Sequence, residues 1–293
     1  MSPILVACLA ALALCCFAGN SLLCRAALAN DLVDPATFTS LRLVAGAVTL
    51  GLILRFRRGR GTGSWAGAAA LFIYAVAFSF SYRGLSAATG ALLLFGAVQI
   101  TMLGVARFRG ERFGRLQLFG SALAIGGLVY LLLPGVSAPP LVSAALMVLA
   151  GGAWGAYTLL GRSAVDALAE TAGNFARTVP SALVLIAAWW LFAQRGGAAI
   201  AEPSAQGAVL AMASGALTSG VGYAIWYAVL PSLSSITAAT LQLSVPVLTG
   251  FGAAVWLAEA PSVRLVVAAI ATLGGIGLVI LASKQVSVSG RRT

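Results

Sequence analysis

The chain has 293 residues, 60% of them hydrophobic and 9% charged, with a formal charge of +11 and a mean hydropathy of +1.00. A soluble domain averages about 25% charged and about 45–50% apolar residues, so a soluble globule, a disordered chain and a disulfide-rich secreted scaffold are excluded. What remains is a polytopic membrane protein, and at about 20 residues per spanning helix the length holds on the order of ten spans.

Apolar runs separated by polar or Pro/Gly breaks give ten segments, at 3–25, 35–55, 64–82, 86–106, 115–133, 140–162, 171–193, 206–229, 233–256 and 264–283. Lipid offers no hydrogen-bond partners to a backbone, so spanning segments are helices or a closed barrel. Runs this long, without alternation, predict helices. The first 24 residues have the apolar, small-residue texture of a signal peptide. They lack the basic start and a clean cleavage site, and read as the first span. All four cysteines (Cys8, Cys15, Cys16 and Cys24) fall in that segment. With no second cluster to pair with, they read as small apolar filler.

Orientation follows from Lys and Arg. With the N-terminus inside, twelve basic residues fall on cytoplasmic loops and the tail: Arg55, Arg57, Arg58, Arg60, Arg107, Arg109, Arg112, Arg115, Arg162, Lys284, Arg291 and Arg292. Four fall outside: Arg25, Arg83, Arg195 and Arg264. The bias predicts an inner-membrane protein with both termini cytoplasmic, its positive charge facing anionic lipid. No soluble domain exists to present a basic surface to nucleic acid. Trp65, Trp189, Trp190 and Trp256 sit near span ends as interfacial anchors.

The two halves resemble each other. Glu111 and Glu259 lie 148 residues apart, and the same offset pairs Leu85-Ser86 with Leu233-Ser234, Phe78 with Trp226 and Gly126-Gly127 with Gly274-Gly275. FAGNSLLCR (17–25) aligns with WGAYTLLGR (154–162), and Arg42 aligns with Arg177. An odd number of helices per half inserts the halves with opposite orientation, as in alternating-access transporters, whose substrates bind near the midplane between the repeats. The expected organisation is a first repeat at 1–133, a loop at 134–140, a second repeat at 141–284 and a basic tail at 285–293.

These residues carry a resemblance to the drug/metabolite transporter superfamily, EamA type. WGAYTLLGR resembles its repeat-opening Trp-Gly helix, and Arg42 and Arg177 match an Arg early in the second helix of each repeat. Pro246 matches the Pro of the fourth helix, and Glu111 and Glu259 match the acid that closes it. Two features depart from the pattern. Phe17-Ala18 stands where Trp-Gly is typical, and the fourth helix (ALLLFGAVQITM, 91–102) lacks the Pro. That Pro-less, Gln-containing helix is similar to YddG-type aromatic amino acid exporters. The resemblance implies ten transmembrane helices in two inverted repeats around a central cavity.

Gln99 and Gln242 come from inverted mates and lie roughly 12 Å or more from the inner ends of their helices by residue count. An amide in hydrocarbon needs partners, so each either lines a cavity or bonds a neighbouring helix. Tyr74, Phe78 and Tyr82 recur on one helical face, as do Tyr223, Trp226 and Tyr227. With Trp154 and Tyr157 they either wall an aromatic cavity or simply pack. Asn20 is deep enough to join them. Arg42 and Arg177 are intramembrane charges that either anchor a carboxylate, act in gating, or snorkel. Pro246 is a bend for gating or a static kink. Glu111 and Glu259 read as partners of Arg112, Arg115 and Arg264.

Only seven acids exist (Asp31, Asp34, Glu111, Asp166, Glu170, Glu202 and Glu259), and none is expected near the midplane; His is absent. That argues against a cation antiporter, a metal or cofactor site and an intramembrane enzyme. With the two intramembrane Arg toward helix ends, the cavity is expected to be nearly neutral. A small-molecule zwitterion with an apolar side chain suits it, and export of aromatic or other hydrophobic amino acids is the favoured expectation. Another small neutral or amphiphilic metabolite or drug is the alternative. The partners expected are this substrate and the bilayer, and not nucleic acid.

Overall fold

The computed structural model describes residues 1–110, 114–135, 138–161, 164–196, 203–233, 238 and 241–289, with side chains described through Ala282. Glu111, Arg112, Arg162, Arg291 and Arg292 lie outside the described residues, as does the side chain of Lys284. Every regular element among them is a helix: α1 (Pro3–Ala29), α2 (Pro35–Phe56), α3 (Trp65–Ser81), α4 (Ala87–Phe108), α5 (Arg115–Leu132), α6 (Leu141–Gly161), α7 (Ala167–Gln194), α8 (Ala205–Ser232), α9 (Ser244–Trp256) and α10 (Val263–Ser289). Eight are long and apolar enough to cross a membrane; α3 and α9 are shorter apolar helices. The chain is therefore an all-helical, multi-pass membrane protein.

Short polar residues start these helices. Asp34 caps α2 by accepting from the Ala36 and Thr37 amides at 2.9 and 3.0 Å, with Pro35 at the first position. Asp166 caps α7 in the same way, and Ser2, Ser64, Ser86 and Ser204 cap α1, α3, α4 and α8. Capping by Asp166 starts α7 at Ala167, four residues before the span expected from hydropathy. Two of the seven acids are thus spent on helix ends.

Two helices are irregular, both beside the cavity described below. α8 is α-helical over Ala205–Ala213, widens to a π-helix over Ser214–Val221 and returns to α-helix over Gly222–Val229. A π segment leaves its carbonyls and side chains off the ordinary register, and such segments cluster at functional sites. The second break is at Leu243, a turn between helical Gln242 and α9. Pro246, buried at the third position of α9, has no N–H for the Gln242 carbonyl and crowds it. The ninth span is thereby discontinuous beside Gln242.

The closest packing is between α5 and α10, followed by α3 with α6, α2 with α7 and α4 with α6. α1 packs on α8 and α9, α4 on α9, and α2 and α3 on α8 and α7 respectively. At the α5–α10 seam, a Cβ on Gly120 would sit 2.6 Å from the Gly275 carbonyl, so only glycine allows that approach. Leu183, Val184, Phe251, Val255 and Ile270 are exposed on the outer surface, the apolar belt that lipid requires. Trp65, Trp190 and Trp256 are exposed as anchors would be, whereas Trp189 packs against Phe80 and Phe192 at 5.4 and 5.9 Å.

Candidate functional site: a central aromatic cavity

A large cavity of about 1070 Å³ runs into the middle of the bundle. Small-molecule sites are typically about 300–1,000 Å³. Its mouth is on the face where α1 begins, between Arg57 at the end of α2, Gly161 at the end of α6, Asp166 and Glu170 at the start of α7, and Leu230-Pro231 at the end of α8.

The deep walls are aromatic. Tyr74 and Phe78 face it from α3, Trp154 and Tyr157 from α6, and Tyr223, Trp226 and Tyr227 from α8. Trp154 is the hub, with ring centroids 4.9 Å from Tyr74, 5.3 Å from Tyr157 and 5.3 Å from Tyr223. Such pairs add about 0.5–1.5 kcal/mol each beyond burial, and they join three helices into one wall. Phe17 closes the wall from α1, 5.7 Å from both Tyr223 and Trp226. Sequence reasoning passed over Phe17 as a site residue, although its alignment with Trp154 was the available signal.

Polar groups are few. Gln99 from α4 and Gln242 from the ninth span both line the cavity, and neither side chain bonds another described residue. Gln99 is buried among the helices, with its amide at the cavity surface. Ser219, from the π segment, lines the same space with a buried, unpartnered Oγ. Nothing in the apolar pattern around Ser219 distinguishes it, since an α-helical register gives no warning of a π turn.

A polar network begins at the cavity surface, where Asn20 and Thr218 line the space beside Tyr74, and runs back to Arg42. Asn20 Nδ2 donates to Tyr74 Oη at 3.2 Å, and Arg42 Nη2 donates to the same oxygen at 3.0 Å. Ser214 Oγ donates to Asn20 Oδ1 at 2.7 Å, with Thr218 Oγ1 at 3.3 Å. The Arg42 guanidinium stands over the rings of Phe78 and Tyr74, 4.9 and 5.2 Å from their centroids. Arg42 is 1% exposed, and its Nε and Nη1 have no partner. A Cβ on Gly215 would collide with the Arg42 carbonyl, so the π segment packs directly on α2 at this point. The ion pairs between described residues, Arg25–Glu259 and Arg83–Asp31, do not involve Arg42.

Arg42 is the eighth residue of α2, toward the start of that helix, and does not itself line the cavity. α2 is embedded between α7 and α8, which leaves Arg42 no route to snorkel. A full positive charge therefore stands one side chain behind the cavity wall. Arg177 behaves differently: its Nη1 donates to the carbonyls of Thr62 at 2.5 Å and Gly173 at 2.9 Å, and its guanidinium stacks near Trp65 at 5.9 Å. It fixes the α2–α3 loop to α7, away from the cavity.

The opposite end of the bundle is sealed. Arg25 Nε donates to Glu259 Oε1 at 2.6 Å, and the Ala87 amide at the start of α4 donates to Glu259 Oε2 at 2.8 Å. Arg25 Nη1 also reaches the Tyr82 carbonyl at 2.9 Å. Tyr82 lies in this seal instead of lining the cavity: its hydroxyl donates to the Ala87 carbonyl at 3.3 Å and its ring meets Phe78 edge to face at 4.8 Å. Glu259 pairs with Arg25, not with Arg264, which instead donates to the Pro134 carbonyl at 3.4 Å. Ala258, in the left-handed region at φ 54°, turns the chain so that Glu259 points back into the bundle. No group of His, Cys, Asp and Glu among the described residues has a metal-binding arrangement.

A family model described as the EamA-like transporter family matches residues 141–281. An uncharacterized protein of Pseudomonas aeruginosa is 52% identical over 275 residues, which span 93% of this chain and 93% of that protein. A protein of known crystal structure is 18% identical, with 94% of this chain and 98% of that one covered at a TM-score of 0.64, a likeness of fold alone.

Proposed function

The chain belongs to the EamA-like transporter family, within the drug/metabolite transporter superfamily, and from that premise we propose that it exports amino acids, aromatic and other hydrophobic ones foremost. A membrane transporter of this family moves a small molecule across a bilayer rather than transforming it. The observation that carries the narrower reading is the cavity itself: its deep walls are aromatic, and the polar groups facing it there are the amides of Asn20, Gln99 and Gln242 and hydroxyls. Among the described lining residues, the carboxylates, Asp166 and Glu170, are at the mouth, where Asp166 is already capping α7. A zwitterion with a ring or branched apolar side chain matches such a lining. A cation antiporter would need an acid deep in it.

The architecture in this reading is two inverted five-helix repeats, residues 1–133 and 141–284, joined by the loop at 134–140 and followed by a basic tail at 285–293. The packing supports it. If each helix is exchanged for the one five places later, α3–α6 becomes α8–α1, α4–α6 becomes α9–α1 and α3–α7 becomes α8–α2, all of them packed pairs. The pairs α2–α7, α4–α9 and α5–α10 map onto themselves. With the basic loops cytoplasmic in the inner membrane, the open mouth faces the cytoplasm, the loading side for an exporter. The Arg25–Glu259 seal faces outward. Transport then proceeds by alternating access, with Pro246 and the π segment of α8 as the discontinuities that let helices bend. The Pro-less fourth helix with Gln99 supports a likeness to the YddG-type exporters.

Proteoliposomes loaded with labelled amino acids, a cationic drug or a sugar phosphate test this. Saturable flux is expected for phenylalanine, tryptophan, leucine or related amino acids. Flux of the cation or the phosphate with none of any amino acid would overturn the reading.

A further inference from the structure

We propose that Tyr74 donates its hydroxyl hydrogen to the carboxylate of the cargo, with Arg42 as the fixed positive charge that makes it a donor. This rests on the reading of the cargo as an amino acid and names the group that recognises its acid end.

A phenol oxygen has two acceptor sites and one hydrogen. At Tyr74 both acceptor sites are taken, by Arg42 Nη2 at 3.0 Å and Asn20 Nδ2 at 3.2 Å. Arg42 cannot reverse its role, because a guanidinium has no acceptor. Asn20 Oδ1 receives two hydroxyls, Ser214 Oγ at 2.7 Å and Thr218 Oγ1 at 3.3 Å, which turns its Nδ2 toward Tyr74. The Tyr74 hydrogen has no acceptor among the described residues, and Tyr74 is a wall of the cavity. The network thus converges on one uncommitted hydrogen at the cavity surface.

Its chemistry selects an anion. Arg42 is 1% exposed and has no carboxylate partner among the described residues, and its Nε and Nη1 are unbonded. A buried cation of this kind is costly unless a counter-charge arrives. The Phe78 and Tyr74 rings screen it from direct contact. Its charge therefore acts through the Tyr74 hydroxyl, polarising the O–H as charge-assisted bonds do. Tyr74 is the binding residue and Arg42 its positioning residue.

At about pH 6, where both amines are protonated, L-phenylalanine and L-phenylalaninamide share ring and ammonium and differ in the carboxylate. Calorimetric titration of the full chain in nanodiscs with each is expected to show at least about tenfold preference for the acid. Tyr74→Phe keeps the ring and is expected to weaken phenylalanine binding by about tenfold to a hundredfold, the range for a hydrogen bond to a charged group. Binding of the amide should stay within about twofold. Arg42→Met is expected to lose the same selectivity; should it fail to fold, Tyr74→Phe decides. Equal loss of both ligands in Tyr74→Phe, or a wild type that does not discriminate, overturns the assignment. A wild type that binds neither ligand while binding another solute overturns the amino-acid reading itself, and the assignment with it.

Discussion

Glu259→Gln is expected to unseal the face opposite the cavity mouth. The Glu259 carboxylate ties the end of α1, through Arg25, to the first amide of α4 and to the turn after α9. One acid therefore bridges three spans, and its negative charge sits at the positive end of α4. Hydrogen bonds to a charged group contribute about 1.5–3 kcal/mol each. The pair is about one-fifth exposed on each side chain, so solvent lowers that figure. A shift of about 1.4–3 kcal/mol in the balance between open and sealed forms remains, which is about tenfold to a hundredfold in population. Leu85→Cys, in a background lacking the four native cysteines, reports on this. Leu85 is buried under the seal. An impermeant thiol reagent is expected to leave it unmodified when Glu259 is present and to label it when residue 259 is Gln. Arg25→Gln should label it equally, and the double variant should add little, as residues of one pair do. Net flux should fall with either change, since a carrier that cannot hold one face shut loses its cycle.

Trp154→Ala is expected to have the largest effect on transport. The indole touches Tyr74, Tyr157 and Tyr223 and so holds the walls from α3, α6 and α8 at one spacing. Its removal deletes three ring pairs and the platform against which an aromatic cargo stacks. The expected loss of flux is on the order of a hundredfold, about 3 kcal/mol if each ring pair contributes about 1 kcal/mol. The indole is only partly buried because one side faces the cavity. The folded yield should therefore fall far less than for a core Trp. Trp256→Ala is the control: Trp256 is exposed on the lipid side and should leave flux unchanged. Size-exclusion profiles alongside the flux measurement separate the two effects.

The helices were legible because a membrane imposes long apolar runs, and little else satisfies the backbone. Their ends were less so. α7 begins at Ala167 because Asp166 caps it, and hydropathy is blind to caps. The aromatic faces of α3 and α8 were readable from helical spacing alone. Tyr82 shares its stripe with Tyr74 and Phe78, yet it falls in the seal, because the stripe runs past the cavity's end to the helix terminus. Arg42 and Arg177 looked alike in sequence. What separates them is tertiary: α2 is enclosed by α7 and α8, whereas Arg177 reaches the α2–α3 loop. The partner of Glu259 was hidden by distance, since Arg25 is 234 residues away and Arg264 only five. The π segment that brings Ser214 and Thr218 to Asn20 has no signature in composition.

Gln99 and Gln242 test the central claim, that the cargo travels through this cavity, because their amides face it and are bonded to nothing else described. Truncating an amide that faces the cavity breaks no hydrogen bond between described residues, so stability should hold. The measurement is the initial rate of labelled phenylalanine exchange in proteoliposomes, divided by the amount of folded protein. For Gln99→Ala and Gln242→Ala that ratio is expected to fall by about tenfold, with folded yield unchanged. A rate per folded molecule equal to that of the wild type in both variants would contradict it.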